Sequence, residues 1–548
     1  MTERAQTPAA APSVARSSAL MASGTLVSRV LGLLRQTMTI GVVGAVGLAA
    51  DAWNAANTLP NNFHLLLAGG VLNAVVVPQI VKASRRADGD EYVNRLLTLA
   101  MTIMGAATVL LTLAAPALVW LVVSKDWGDD ARGLAVAFAL ICLPQMFFYG
   151  LYTLLGQVLT ANNRFGAFMW APALANVVAI AGLGWFMLSG RQDVQDVGLW
   201  DSTMIWVLAG SATLSIVVQA LVLIPALRRI GFRYRPVWGF RGYGLGSASK
   251  MATWAFGAVA VGQVAFLLVT TPVLTGAAFD AERAGAPAAG LTSYGFAFLI
   301  FMLPHSIITV SLVTAIFTRL SGNAQDGDTE AVAADLRQGM RMPAVVLFPG
   351  TAAMVLLAPW ALQALLFSTP AADARAATGV LVAMCLGLVP YGWFYLVQRA
   401  CYAYEDGRTP FVLQLVVTVI SVAFTLVGAA SGFEHTATWV GVGQTVGNLV
   451  GAILGFVLLR RRLGSLGLAS VVQQNVRLLL STLLATLVAG ALLLGMTRVL
   501  DEGWLSAVLV TGVCGVVLLV VALLVAARLR VTEVTAVLQP VTRRLRRA

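Results

Sequence analysis

Two arginines, Arg29 and Arg35, stand six residues apart in GTLVSRVLGLLRQ, a stretch otherwise apolar enough to cross a membrane. A guanidinium keeps its charge and presents a planar fork of donors that matches a phosphate or carboxylate two oxygens at a time. At a bilayer centre such a group costs about 2.5–3.5 kcal/mol on insertion scales, so it belongs against a cavity or a partner. Six residues make about 9 Å along a helix and about 120° around it. The pair therefore lines one cavity at two depths. Gly24, Ser28 and Gly32 recur at four-residue spacing beside them, a small-residue face that admits a second helix closely. Anion binding is the chemistry implied. The competing reading is an internal ion pair that fixes packing, for which the nearest acid is Asp51, sixteen residues beyond Arg35.

Other polar residues in apolar surroundings form a second rank. Ser28, Asn61, His64 and His305 are candidates for the cavity wall, and each histidine has a plain alternative as a hydrogen-bonded packing residue. Asp406 and Arg399, in YLVQRACYAYEDGRTP, are candidates for coupling or gating, although Arg399 lies near a span end, where a long side chain reaches the interface. Cys142, Cys385, Cys401 and Cys514 are far apart, show no paired spacing and read as small apolar fillers. The sequence contains no phosphate-binding G-x-x-x-x-G-K-[ST], no H-E-x-x-H and no G-x-S-x-G. The reading is a non-enzyme without cofactor or metal site and without a nucleic-acid partner. Its energy source is the membrane potential or a sodium or proton gradient.

The elements that position these residues follow from composition. A chain of 548 residues that is 59% hydrophobic, 11% charged and +0.84 in mean hydropathy is too apolar for a soluble fold. A span needs about 20 apolar residues. Fourteen such runs occur, near 20–46, 59–81, 96–123, 133–160, 165–189, 202–227, 251–275, 290–318, 342–367, 377–403, 409–432, 436–459, 478–497 and 503–527. Of the 36 lysines and arginines, 27 fall on the termini and the loops after even-numbered spans, and six on the opposite loops. Both termini are then cytoplasmic. The three left inside spans are Arg29, Arg35 and Arg399.

Two halves resemble each other. GVLNAVVVPQI (Gly70 to Ile80) parallels SLVTAIFTRL (Ser311 to Leu320) at an offset of 241, and LTANNRFGAF (Leu159 to Phe168) parallels CYAYEDGRTPF (Cys401 to Phe411) at 244. An even number of spans per half makes the repeats parallel about the membrane normal. The expected architecture is all-α: a cytoplasmic tail at 1–19, an N-lobe of six helices at 20–240, a C-lobe of six at 241–465, a terminal helix pair at 466–530 and a basic cytoplasmic tail at 531–548. The tail and the basic loops suit anionic lipid.

GTLVSRVLGLLRQ, ADAWNAANTLPNNFHLLLAGGVLNAVVVPQIV, GQVLTANNRFGAFMWAPALANVVAI and QRACYAYEDGRTP together resemble the MurJ (MviN) family of lipid II flippases, within the multidrug/oligosaccharidyl-lipid/polysaccharide (MOP) exporter superfamily. The likeness runs from about residue 20 to 530 and is nearest to the actinobacterial branch. It implies fourteen helices in the bacterial plasma membrane and transport of undecaprenyl-pyrophosphate-linked peptidoglycan precursor from inner to outer leaflet. It also implies that Arg29 and Arg35 meet the pyrophosphate, that Asp51 is functionally important near the outer side, and that cell-wall synthesis or division proteins are partners.

The chain departs from the family pattern in places. His64 and Leu65 replace an arginine pair, Gly69 replaces an acid, and Phe298 and Leu299 occupy the stretch where an arginine is usual. Two other functions compete: a drug or cation exporter of the same superfamily, which predicts intramembrane acids, and a degenerate paralogue acting as a membrane scaffold for cell-wall synthesis.

Overall fold

The computed structural model describes residues 14–67, 89–162, 164–238 and 250–535. The Gly70–Ile80 repeat segment, Gly69, the basic loop at 82–86, Arg241 and the tails at 1–13 and 536–548 lie outside the described residues. Within them the chain is all-helical, without strands. Helix α1 is Val14–Val43, α2 Leu48–Leu67 and α3 Gly89–Leu113, which continues as Ala115–Val122. Then follow α4 (Asp129–Ala161), α5 (Phe165–Leu188), α6 (Ser202–Arg229), α7 (Thr253–Ala284), α8 (Leu291–Gln325) and α9 (Thr329–Leu365). The last are α10 (Ala371–Leu386 and Leu388–Ala403), α11 (Arg408–Ala430), α12 (Phe433–Leu463), α13 (Ala469–Met496) and α14 (Trp504–Arg528). Among the described residues, twelve helices are long and apolar enough to cross a membrane, or thirteen if the two parts of α10 make one span. This is a multi-pass membrane protein.

The helices depart from the expected runs where polar residues are buried. A second span was expected from residue 59, yet α2 begins at Leu48, directly after a tight turn in which Gly44 and Gly47 take φ of +90° and +94°. Such angles favour glycine. Asp51, Asn54 and Asn57 lower the hydropathy of this first stretch, but Asp51 and Asn57 find partners inside the protein and Asn54 packs against Gly295, so the helix holds. The tenth span, expected to be continuous over 377–403, bends by 46° at Gly387. There Thr445 Oγ1 donates to the carbonyl of Ala383 at 2.6 Å, an intrusion into the helical ladder of the kind that kinks helices. Prolines mark other irregularities. Pro144 interrupts α4, while π-helical turns occupy Phe266–Thr270 just before Pro272 and His305–Thr309 just after Pro304.

Burial divides the molecule unevenly along its length. At the end carrying the α1–α2 turn, residues of both halves share one buried cluster, from Ile40, Ala49 and Leu59 through Phe138 and Phe186 to Phe296, Leu362 and Met384. Toward the other end, α3, α4 and α6 keep a separate cluster, and α8 to α12 keep another. Among the described residues, the halves share a core at one end and keep separate cores toward the other. In the C-terminal half helices approach closely along Gly443, Gly447, Gly451 and Gly455 of α12, which repeat every fourth residue against α10 and α11. A Cβ on Gly451 would lie 2.7 Å from Val417 and 3.0 Å from Phe394.

Replacing Gly451 by leucine should therefore overpack this contact. The expected loss is about 1–3 kcal/mol, seen as a lower unfolding midpoint in detergent than for Gly350→Leu, where the space beside the glycine is open.

Candidate functional site

Helix α1 carries the site because its small face fixes its rotation. Gly24 sits against Trp170 and Gly32 against Asn176, both on α5, and Asn176 Nδ2 donates to the Ser28 carbonyl at 3.0 Å. Ser28 thus serves the packing face through its backbone. The arginines occupy the neighbouring faces. Arg29 Nη1 reaches across to the C-terminal half and donates to Ser306 Oγ at 2.6 Å. Arg35, partly buried about two turns below the α1–α2 turn, lines a cavity of about 50 Å³ with Gln36, Asn57, Gln145, Tyr149 and Ser211. Neither guanidinium has an ion-pair partner among the described residues. The internal ion pair with Asp51 is not formed.

Asp51 is fully buried and does something else. Its two carboxylate oxygens accept from the backbone N–H groups of Leu291 and Thr292, each at 2.8 Å, at the first turn of α8. Those amides have no partner inside their own helix, and a carboxylate also complements the positive end of the helix dipole. Gly290 makes room for this: a Cβ there would fall 2.3 Å from Asp51 Oδ2.

The same end is clasped elsewhere. Ser293 Oγ donates to the Ala45 carbonyl at 2.6 Å, and the Leu48 amide donates to Glu282 at 3.2 Å. The Ser124 amide and the Trp127 indole bond to Thr275 on α7, each at 2.9 Å. Gln195 Nε2 bridges Asp193 and Asp373 across the halves at 2.9 Å to each. Burial, with Asp373 nearby, pushes the Asp193 carboxyl above the ordinary carboxylate range, against the opposing pull of the Gln195 amide.

The remaining sequence candidates are dispersed. Asn61 is exposed, while its neighbour Asn62 is buried and accepts from Gln263 of α7 at 3.1 Å. His64 and His305 are buried against tyrosines, 5.8 Å from Tyr149 and 4.3 Å from Tyr391 between ring centroids. Arg399 donates to the Tyr395 hydroxyl at 2.8 Å and lies over the Tyr395 and Phe317 rings, so it stays partly buried on the wall of the C-terminal half. Asp406 caps α11, accepting from the Thr409 amide at 3.0 Å and its hydroxyl at 2.7 Å, with Arg462 at 3.8 Å. Sequence reasoning missed Ser306, Glu282, Asn62 and the Gln195 bridge. Only the repeat offset carried a usable signal: Asp51 bonds Thr292, 241 residues later, and Asn54 faces Gly295, also 241 later.

A family model described as lipid II flippase MurJ matches residues 42–529. The chain belongs to the MurJ lipid II flippase family. A relative from Haemophilus influenzae, named probable lipid II flippase MurJ, is 25% identical over 489 residues, covering 85% of this chain and 89% of its own. Among solved structures, a lipid II flippase MurJ in an inward closed conformation superposes with a TM-score of 0.70 at 17% identity, covering 93% of this chain and 99% of that one. An inward-facing multidrug resistance MATE transporter of the MOP superfamily reaches 0.63 at 17% identity, covering 83% and 99%. Both structures share the fold. The family's membrane architecture is thus the frame in which the arginine pair sits.

Removing the Asp51 carboxylate should loosen the fused end. Asp51→Ala leaves two buried amides unpaired, at about 1–3 kcal/mol each, so a cysteine at Ala45 should react faster with a thiol reagent than in the parent or in Asp51→Asn. The Asp193 clasp gives a pH dependence. Its raised carboxyl favours the neutral form in the closed arrangement. Closure is therefore fully supported at low pH and weakens as pH rises from the ordinary carboxylate value through the raised one. Spin labels at Gln192 and Ala372 should separate or broaden in distance over that acidic interval, and Asp193→Asn should remove the change.

Proposed function

We propose that this chain is a lipid II flippase that carries the undecaprenyl-pyrophosphate-linked precursor of peptidoglycan from the inner to the outer leaflet of the plasma membrane by alternating access. The observation that carries the reading is the placement of Arg29 and Arg35: two cations without counter-ions among the described residues, at two depths on α1, between a shared core on one side of them and separate cores on the other. A pyrophosphate supplies the missing negative charge with paired oxygens suited to guanidinium. Family membership supplies the substrate. A cation exporter would want acids in that position. Among the described residues no acid pairs with either arginine, and the Asp51 carboxylate is taken by the α8 amides.

In this reading α2 completes a set of fourteen spans, arranged as two parallel six-helix lobes and a terminal pair, with both termini cytoplasmic. The contacts between residues 241 apart support the lobes, because equivalent residues on parallel helices meet at a two-fold axis. The fused α1–α2 end is then the outer gate, and the structure faces inward. The headgroup enters between the parted ends, its lipid tail staying in the bilayer, and the lobes rock so that the clasp at Asp51 opens. An inside-negative potential helps an anion outward, at about 2.3 kcal/mol per charge per 100 mV. Exposed Arg228, Arg229, Arg233 and Arg235 at the end of α6 would face anionic lipid headgroups on the cytoplasmic side.

The test is to deplete the protein in its host and measure lipid II in each leaflet while complementing with variants. Depletion should trap lipid II in the inner leaflet, wild type should release it, and Arg29→Ala or Arg35→Ala should each restore less than about a tenth of the wild-type rate. That corresponds to a lost charge-assisted contact of about 1.5–3 kcal/mol. An unchanged leaflet distribution on depletion would rule out transport. Full rescue by both variants would remove the arginines from the site.

A further inference from the structure

His64 and His305 are 241 residues apart, the same separation as Asp51 and Thr292 or Asn54 and Gly295, which touch across the halves. Their partners Tyr149 and Tyr391 are 242 apart. Each half thus presents one buried imidazole against one tyrosine from the corresponding helix. Exposure is 9% for His64 and 2% for His305, and in both the Nδ1 has no hydrogen-bond partner. Each pair also adjoins one arginine of α1. Tyr149 lines the Arg35 cavity, and His305 is next in sequence to Ser306, which takes the Arg29 bond.

The charges around these imidazoles are of one kind. For His64, α4 brings Tyr149 and α1 brings Arg35, the apolar helix Ala115–Val122 brings no ionisable group, and α7 has none between Lys250 and Asp280. For His305, α10 brings Tyr391, Tyr395 and Arg399, α1 brings Arg29 through Ser306, and α9 has no ionisable group between Arg341 and Leu365. Helix α8 itself adds Tyr294 and, about four turns toward its end, Arg319. The acid on α2, Asp51, is thirteen residues from His64, about 20 Å along the helix, and is bound to the α8 amides. Neither imidazole forms an ion pair among the described residues. Among the described residues a protonated imidazole has no anion here to meet, so the counter-charge we invoke arrives from outside.

We propose that His64 and His305 are a matched pair of proton-accepting contacts, one on each lobe, for the anionic headgroup. As the pyrophosphate enters, the lone pair of an imidazole nitrogen takes up a proton from the bulk solution, delivered by hydronium or a buffer acid that is left as water or its conjugate base, and the resulting N–H⁺ donates to a phosphate oxygen. When the anion leaves, the proton returns to water and the imidazole is neutral again. No covalent bond to the substrate forms. The inference rests on the flippase reading and adds to it a substrate-linked protonation, so that headgroup affinity follows pH although the arginines do not titrate.

The experiment measures binding of purified lipid II to the full chain in nanodiscs between about pH 8.5 and about pH 5.5, the interval across which an imidazole changes charge. The pyrophosphate diester of lipid II keeps its charge over that interval. Wild type should bind about tenfold more tightly at the lower pH, and calorimetry in buffers of different ionisation enthalpy should show proton uptake on binding. His64→Gln with His305→Gln should flatten the pH dependence and abolish the uptake, each single variant should remove part of both, and His64→Arg should bind at high pH as wild type does at low pH. An unchanged slope and uptake in the double variant overturns the proposal. Absence of lipid II binding by wild type at every pH overturns the flippase reading itself. A double variant that fails to fold leaves the single variants and His64→Arg to decide, because an equal pH slope in all three would also refute it.

Discussion

Asp51 is a carboxylate shut away from solvent, and the two amides that open α8 compensate it. A buried charge with nothing to receive it would cost several kcal/mol, and the unfilled first turn of α8 would carry its own penalty. Joined, the two deficits cancel. The bond exists only while the N-terminal half lies against the C-terminal half at that end, so a local electrostatic need becomes a constraint on the whole molecule. The surrounding clasp at Ala45, Glu282, Thr275 and Gln195, and the buried cluster shared by both halves, extend the same contact.

The opposite end is built differently. There each half closes its own core, and polar groups are satisfied within a half: Asp406 by Thr409 and Arg462, Asp335 by Arg319 and Asn323, Asn94 and Thr98 by the chain that follows α6. A molecule whose halves depend on each other at one end and not at the other is ready to hinge. Hinging there gives up the polar clasps together with the apolar cluster that the halves share, while each half keeps its own packing at the other end. Between the two regimes sit Arg29 and Arg35, held in place by the small face of α1 on α5, with no counter-charge among the described residues.

The internal repeat gives this arrangement its economy. Helices α2 and α8 meet near equivalent residues, so a substitution on one has a geometrical counterpart on the other. The pairing is not chemically identical. Asp51 is matched by the backbone of Thr292, and Asn54 by a glycine whose missing side chain admits it. The two histidines and their tyrosines preserve the likeness more closely, and they do so beside the two arginines of α1.

By itself the sequence determined the class of protein, the membrane runs, the family and the two residues that most need explaining. Each of these rests on a local property: hydropathy over about 20 residues, a charge where a span should have none, a small residue every fourth position. It also placed the packing face of α1 correctly, because four-residue spacing has one meaning on a helix. Only the tertiary structure decided what Asp51 does, where α2 begins, that Asn62 rather than Asn61 crosses between the halves, and that Asp406 caps a helix. Those outcomes depend on which polar group finds which partner across hundreds of residues. A scan that averages hydropathy along the chain counts a buried, fully bonded aspartate as it would a solvated one.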